Sequence, residues 1–375
     1  MKVLMISTDS KILQKGSAVF ERMKEYAGLV EQLDIVVCSV GNFEAVQITG
    51  NARAYSTNST SKLWYIWDVL RMVKRAGIKD IDLVTAQDPF ETGIAGWLVA
   101  RRLKAKLQLQ VHTDFMSEYF RAESLKNIIR VLIAKCLLPK ADGIRVVSER
   151  IKRSMSKLKI QACPEYARGM SKIVILPIFV DVHAIQSAPV SVDLHKKYPQ
   201  FDFIILMASR LEKEKNIELA IDAMRDVVKN NPKTGLVIAG AGSQEKELRQ
   251  KVDQLGIKDN IIFEGWVDDL ASYYKTCDVY LLCSNYEGYG MSLIMAASCG
   301  CAIITTDVGV VGGVVNKDNA LVVGVGDTRE IAEAIEKLHS DEAFRDALGQ
   351  RACATVGQID SKEEYFKKYK KSWEL

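Results

Sequence analysis

Val279-Tyr280-Leu281-Leu282-Cys283-Ser284-Asn285-Tyr286-Glu287-Gly288-Tyr289-Gly290-Met291-Ser292-Leu293-Ile294-Met295-Ala296 is the stretch whose reading decides the fold. Its first four residues are an apolar run of the length and composition of a strand buried on both faces. After Gly290 the apolar residues return, interrupted only by Ser292, over a length that predicts a helix at 290–298. The glycines between them let the backbone turn tightly and come close to another group. A buried strand that feeds a helix through a glycine loop is one unit of a parallel sheet, because parallel strands need crossovers that cover both faces.

The same unit recurs in both directions from this stretch. Towards the N-terminus, Val3–Ser7, Asp34–Val40, Leu83–Ala86, Leu107–His112 and Gly143–Val147 read as buried strands. Ala18–Val30, Thr92–Arg102 and Leu125–Leu137 read as the helices between them. Around the quoted stretch, Phe203–Ala208, Leu236–Ala239, Ile261–Phe263, Ala302–Thr305 and Ala320–Val323 are further strands. Their helices fall near Ile217–Lys229 and Gln244–Leu255. The chain has 375 residues, more than one hydrophobic core usually serves, so two α/β domains are expected. The boundaries expected are 1–178 and 179–355, with a linker near 178–200. A C-terminal helix over 356–375 is expected to pack back on the first domain. Two such sheets facing each other make a cleft at the carboxyl ends of their strands, where open α/β sheets take ligands.

Composition narrows the function. With 48% hydrophobic and 26% charged residues the chain is ordinary globular material. The start, Met1-Lys2-Val3-Leu4-Met5-Ile6-Ser7, turns polar too soon for a signal peptide, and no run of about 18 apolar residues occurs. A cytoplasmic protein is expected, peripheral at the inner face of a membrane at most. Eight cysteines, several inside apolar runs and none in C-x-x-C spacing, are expected to be reduced and buried. Charge is split unevenly. Residues 1–180 hold 28 Lys and Arg against 17 Asp and Glu, and residues 181–375 hold 23 against 30. A first half of +11 suits an anionic acceptor or an acidic membrane surface. No nucleic-acid partner is expected.

Chemistry concentrates where strands end. After Phe203–Ala208 come Ser209-Arg210 and, just ahead of the next helix, Lys215. Two cations at a helix N-terminus suit a polyanion such as a diphosphate. In the quoted stretch Glu287 is a carboxylate beside a second helix N-terminus. It has no use for a phosphate and is suited to accept hydrogen bonds from sugar hydroxyls. Gly240-Ala241-Gly242-Ser243-Gln244-Glu245 is not a dinucleotide fingerprint, since Glu245 stands where the third glycine belongs. Asp268-Asp269 reads as a helix cap ahead of Leu270, not as a metal-binding pair. Lys126–Lys135 mixes basic and apolar residues at helical spacing, as a packed helix or a membrane-surface element does.

These motifs resemble, in order and over nearly the whole length, a family-4 retaining glycosyltransferase of the GT-B fold. The marks are Lys15-Gly16-Ser17-Ala18, Gln87–Gly93, Val111-His112-Thr113-Asp114-Phe115, Ala208-Ser209-Arg210 with Lys215-Asn216, Ala239–Gly242, Phe263-Glu264-Gly265, Glu287–Gly290 and Thr305–Gly309. The resemblance implies that Arg210 and Lys215 hold the donor diphosphate and neutralise the leaving group, with Ser209 beside them. It implies that Glu287 contacts the donor sugar, assisted by Gly288, Tyr289, Gly290, Met291 and Ser292. Gly16 matches the first-domain loop that approaches the phosphates, and His112 matches a histidine facing the donor sugar. No metal is required by such enzymes. The chain departs from the pattern at Met295, where the family's second motif glutamate binds ribose, and at the loose Val308–Gly313 stretch.

The expectation is therefore a metal-independent hexosyltransferase that moves a sugar, with retention, from a nucleoside-diphosphate sugar to a glycan or lipid-linked acceptor in polysaccharide biosynthesis. A nucleotide-sugar epimerase or hydrolase of the same fold is the alternative, as is a sugar-nucleotide-binding subunit weakened by Met295.

Overall fold

The computed structural model describes residues 1–156 and 173–375. Two compact units emerge, Met1–Pro177 with Ser361–Leu375, and Ile178–Asp360.

Unit 1 runs β1 (Lys2–Ser7), α1 (Ala18–Ala27), β2 (Gln32–Val37), β3 (Val46–Thr49), β4 (Ala52–Ser56), α2 (Tyr65–Arg75), β5 (Leu83–Ala86), α3 (Glu91–Leu103), β6 (Lys106–Val111), α4 (Glu118–Glu123), α5 (Leu125–Leu137), β7 (Gly143–Val146), α6 (Glu149–Ser156) and β8 (Ile173–Ile175). Its eight strands lie in the order β3-β4-β2-β1-β5-β6-β7-β8. All pair in parallel except β3, which turns back antiparallel on β4 and forms the edge. The sequence reading lacked the β3–β4 hairpin and α2. Val46–Thr49 is a half-exposed edge without an apolar run, so no buried-strand signal marks it. β1 and β2 bury five of their six residues each, as strands covered on both faces do. The helices α2, α3 and α5 lie side by side, α2 packed on α3 and α3 on α5.

Unit 2 runs α7 (Val182–Ser187), α8 (Leu194–Lys197), β9 (Phe203–Ala208), α9 (Ile217–Asn230), β10 (Thr234–Ala239), α10 (Glu245–Leu255), β11 (Ile261–Gly265), α11 (Leu270–Thr276), β12 (Val279–Leu282), α12 (Met291–Ser298), β13 (Ala302–Thr306), β14 (Leu321–Val323), α13 (Thr328–Ser340) and α14 (Glu342–Val356). Six parallel strands follow the order β11-β10-β9-β12-β13-β14. The chain order therefore reverses between β9 and β12, the switch point at which such sheets bind ligands. Ile205, Met207, Leu281 and Ile304 from the strands pack with Ile221, Met224, Ile331 and Ile335 from the helices in one core. Asp269 caps α11 by accepting from the Ser272 backbone N–H at 3.2 Å, the cap that Asp268-Asp269 suggested.

Residues 178–200 are no open linker. Lys275 donates to the Gln186 carbonyl at 2.9 Å, the Ser191 N–H donates to Ser272 Oγ at 2.9 Å, and the Leu194 N–H donates to Thr276 Oγ1 at 3.2 Å, so the segment is sewn onto α11. The other boundary falls after Asp360, beyond 355, because α14 still packs on β13 and α12.

The last helix, α15 (Lys362–Lys371), belongs to unit 1. It opens with a capping box between Ser361 and Glu364 and buries Tyr365 and Tyr369, followed by Trp373. Tyr369 stacks on Tyr26 with ring centroids 4.3 Å apart. The guanidinium of Arg145, buried in β7, sits 4.7 Å from the Tyr369 ring and donates to the Tyr365 and Tyr369 hydroxyls at 3.3 Å each. A buried charge needs such partners, and α15 supplies two of them beside Gln110 Oε1 and the carbonyls of Leu176 and Pro177.

The cysteines are mixed. Cys38, Cys283 and Cys301 are buried, Cys277, Cys299 and Cys353 are half-buried, and Cys136 is exposed; Cys163 lies outside the described residues. Cys136 follows an apolar run, but it stands beside Lys135 on the outward side of α5 while Val131 and Ala134 of that run face in.

Candidate functional site

Two loops of unit 2, one after β9 and one after β12, are tied together at the switch point. The Asn285 N–H donates to the Glu214 carbonyl at 2.8 Å, and Asn216 Nδ2 donates to Asn285 Oδ1 at 3.0 Å. Cys283 Sγ reaches the Asn216 carbonyl at 3.1 Å. Asn216 itself sits at φ 48°, a left-handed turn that asparagine tolerates, and α9 starts from it.

This stitching brings Lys215 to Glu287, with Nζ 2.5 Å from Oε1 and side chains only 15% and 12% exposed. Ser284, buried, donates its hydroxyl to the same Glu287 oxygen at 2.9 Å. Arg210, on the loop that carries Lys215, is 68% exposed and holds Glu214 Oε1 at 2.7 Å. Ser209 Oγ donates to the Arg210 carbonyl at 3.3 Å, while its N–H continues the β10 pairing to Ala239 O at 3.0 Å.

Three residues after Glu287, Gly290 adopts φ 89° and opens α12 with no side-chain cap. The first N–H groups of an α-helix have no intrahelical acceptor, so those at Met291 and Ser292 are donors for an anion. The Ser292 side chain is engaged with Tyr280 in the core, which leaves its backbone N–H as the group it offers a ligand. Gly288 and Tyr289 are buried beneath this turn. Met295 is half-buried one turn further on, while Leu293, Ile294, Ala296 and Ala297 beside it are buried.

Sequence reasoning missed the braces. Thr306 donates to the Ser284 carbonyl at 2.7 Å, and the Val310 N–H donates to the Tyr289 carbonyl at 2.8 Å. Gly309 has φ 58°, and a Cβ there would lie 2.4 Å from Tyr289 O and 3.0 Å from the Glu287 Cβ. The stretch Thr305–Gly309 therefore fixes the glutamate loop from behind. Gly240 and Gly242 do the same for the other loop, since a Cβ would meet Ser209 O at 1.8 Å and Leu211 O at 2.4 Å. The only available signal was the glycines themselves, which say that backbones approach but not which ones.

Gly16 and His112 belong to unit 1. Gly16 needs its hydrogen side chain for φ 84°, not for space, and stands just ahead of α1, whose cap is Ser17 accepting from the Phe20 N–H. The His112 ring, directly after β6, is bonded through Nε2 to Gln110 Oε1 at 2.9 Å. Gln110 Oε1 also accepts from Arg145 at 3.1 Å, and its amide donates to Thr85 Oγ1 at 2.8 Å. The amide oxygen therefore takes the Nε2 proton and leaves Nδ1 as an acceptor, the tautomer that receives a hydrogen bond from a hydroxyl. Burial, with Arg145 and Arg22 nearby, pushes the imidazole down to about 3, so it is neutral at pH 7. Arg22, on α1, was not singled out from the sequence. Among the described residues, no three His, Cys, Asp or Glu side chains converge as a metal-binding group, and no helix is long and apolar enough to cross a membrane.

Comparison with known proteins bears on unit 2 most directly. Residues 194–354 match the family model described as glycosyl transferases group 1. The chain is 26% identical over 236 residues to the alpha-monoglucosyldiacylglycerol synthase of Streptococcus pneumoniae, covering 60% of this chain and 51% of that protein. The chain thus spans about half the length of such relatives. Among solved structures, sucrose-phosphate synthase from Thermosynechococcus elongatus superposes with a TM-score of 0.81 at 18% identity, covering 100% of this chain and 98% of that one. The Anabaena protein HepE in complex with UDP and glucose gives 0.76 at 19%, covering 99% of both. These likenesses establish the GT-B fold.

Proposed function

We propose, from the match of residues 194–354 to the glycosyl transferases group 1 model and from the GT-B fold, that the protein transfers a sugar, with retention and without a metal ion, from a nucleoside-diphosphate sugar to a glycan or lipid-linked acceptor. The observation that carries the proposal is the contact of Lys215 with Glu287 at the uncapped start of α12. One cation, one carboxylate and a set of backbone N–H donors meet there, as a sugar joined to a diphosphate requires.

The roles follow from charge. The diphosphate takes Lys215, Arg210 and the N–H groups of Met291 and Ser292. Lys215 then turns from Glu287 to the phosphate, and Glu287 accepts hydrogen bonds from the sugar hydroxyls. As the bond from the anomeric carbon to the phosphate oxygen breaks, negative charge grows on that oxygen, and the same cations stabilise it; stabilisation of developing charge is commonly the largest catalytic term. The acceptor hydroxyl adds on the face the phosphate leaves and passes its proton to the departing phosphate, so configuration is retained and no protein base is needed. Within unit 1, the neutral ring of His112 offers Nδ1 as an acceptor, the group that the resembling family directs at a sugar hydroxyl, and Gly16 stands in the loop that the family directs at phosphate. Since HepE is described with UDP and glucose, a uridine diphosphate sugar is the first donor to test.

Glu287→Gln is expected to lower turnover at least about a hundredfold, the scale of losing one oriented transition-state contact, while UDP still binds. Proton NMR of the product reports the anomeric configuration. Near-wild-type turnover in this variant, or an inverted product, refutes the assignment. Release of free sugar with no acceptor product identifies a hydrolase, and donor binding without turnover identifies a binding subunit.

A further inference from the structure

Helix α5 has two apolar faces. Asn127, Val131, Ala134 and Leu137 are buried, as the inner face of a crossover helix should be. Leu125, Ile128, Ile129 and Leu132 recur at i, i+3, i+4 and i+7 and are nevertheless exposed, Leu125 by 80%. A second exposed set stands at the start of α2, where Leu63 is 88% and Trp67 61% exposed, with Trp64 between them. The helices α2, α3 and α5 lie in a row, and each enters from the carboxyl end of a strand of the unit 1 sheet, α2 after β4, α3 after β5 and α5 after β6 by way of α4. Both apolar sets therefore lie at the carboxyl-end edge of unit 1.

The charge on these segments is predominantly positive. Lys62–Arg75 holds four basic residues and one acidic residue, and Leu125–Lys140 holds four basic and none acidic. The lysines are interleaved with the apolar side chains: Lys126 lies three residues before Ile129, and Lys135 three after Leu132. A protein interface of this size excludes charge from its centre. Interleaved lysines whose stems lie along apolar groups while their heads stay wet, next to exposed tryptophans, suit the boundary between headgroups and acyl chains. Arg130 does not take part, since its half-buried guanidinium holds Glu91 at 3.0 Å and covers the Phe90 ring at 5.4 Å; Lys126 stands 3.5 Å from the same carboxylate, but its side chain is 58% exposed and that longer contact leaves its head open to a headgroup.

We propose that this face of unit 1 docks on an anionic lipid surface, with Trp64, Trp67 and Leu125 entering the headgroup layer and Lys62, Lys126 and Lys135 pairing with the headgroups. Docking would hold the carboxyl-end edge of the unit 1 sheet beside the lipid, which suits a lipid-borne acceptor; that consequence rests on the sugar-transfer reading, but the docking does not.

Co-sedimentation of the full chain with vesicles of phosphatidylcholine, with and without phosphatidylglycerol, tests it without donor or turnover. Binding is expected to rise with phosphatidylglycerol, to fall with salt, and to shift tryptophan emission to the blue. Lys62→Gln, Lys126→Gln and Lys135→Gln should each weaken binding about fivefold. Trp64→Ala with Trp67→Ala should weaken it at every salt concentration. All five side chains are exposed, and unchanged melting temperatures confirm folded variants. Binding that ignores lipid charge and salt, or variants that bind as the wild type does, overturns the proposal. So does self-association of the full chain that the tryptophan variants abolish and vesicles do not compete with, which makes the face a protein interface. Failure here leaves the sugar-transfer reading standing, and loss of that reading leaves the vesicle result unaffected.

Discussion

Lys215 and Glu287 were both legible as site residues, because each stands in a loop between a buried strand and a helix. Their pairing was not legible, since 72 residues separate them and only the folded switch point joins them. Nor was the Ser284 hydroxyl bonded to Glu287 visible, although it sits three residues away in the quoted stretch. His112 carries a prediction at this scale. Its imidazole is held at about 3, against an ordinary 6.5. As pH falls below 6.5 the unfolded chain takes up a proton that the folded chain refuses, so stability present above 6.5 is lost progressively down to about 3. Denaturant unfolding should show a loss of about 1–2 kcal/mol between pH 7 and pH 5 that His112→Gln abolishes. A pH dependence identical in wild type and variant removes the burial argument.

At the scale of elements, the buried strands and their following helices were plain from apolar runs, and the quoted strand–loop–helix needed only a one-residue shift of the helix start to Met291. What escaped notice was the edge hairpin of β3 and β4, which has no apolar run, the helix α2 with its buried Val69 and Val73, and the way Thr306 and Gly309, in a stretch already marked, prop the glutamate loop. Positive φ at Gly290 and Gly309 could be suspected from glycine, but the backbone each approaches is a tertiary fact. Helix α12 supplies a second prediction. Met295 is half-buried where the resembling family places a ribose-binding carboxylate. A glutamate at a half-buried position can keep its charge towards water or ribose without the cost of a buried, unpaired ion. Met295→Glu is therefore expected to leave the melting temperature nearly unchanged and to tighten UDP binding, as differential scanning fluorimetry and titration calorimetry would record. A loss of several kcal/mol with no gain in affinity would place Met295 in the core.

The whole molecule consists of two α/β units, and the sequence implied both through the repeat of one pattern. It placed a linker near 178–200, and hydrogen bonds to α11 hold that stretch on unit 2, a docking that poor periodicity does not reveal because it marks loops of either kind. The terminal helix completes unit 1 with Tyr369 between Tyr26 and Arg145. Tyr369→Ala removes a fully buried ring and one partner of a buried guanidinium, and should cost about 3–5 kcal/mol in denaturant unfolding; a loss below about 1 kcal/mol would mean the helix is a passive tail. The central claim is that unit 2 holds a nucleoside diphosphate on Arg210 and Lys215 at the start of α12. Titration calorimetry of UDP into the wild type, Arg210→Ala, Lys215→Ala and the double variant measures it directly. Each single loss should weaken binding by roughly 1.5–3 kcal/mol, with less than additive loss in the double variant because both side chains serve one diphosphate. Unchanged UDP affinity in the double variant would contradict the account.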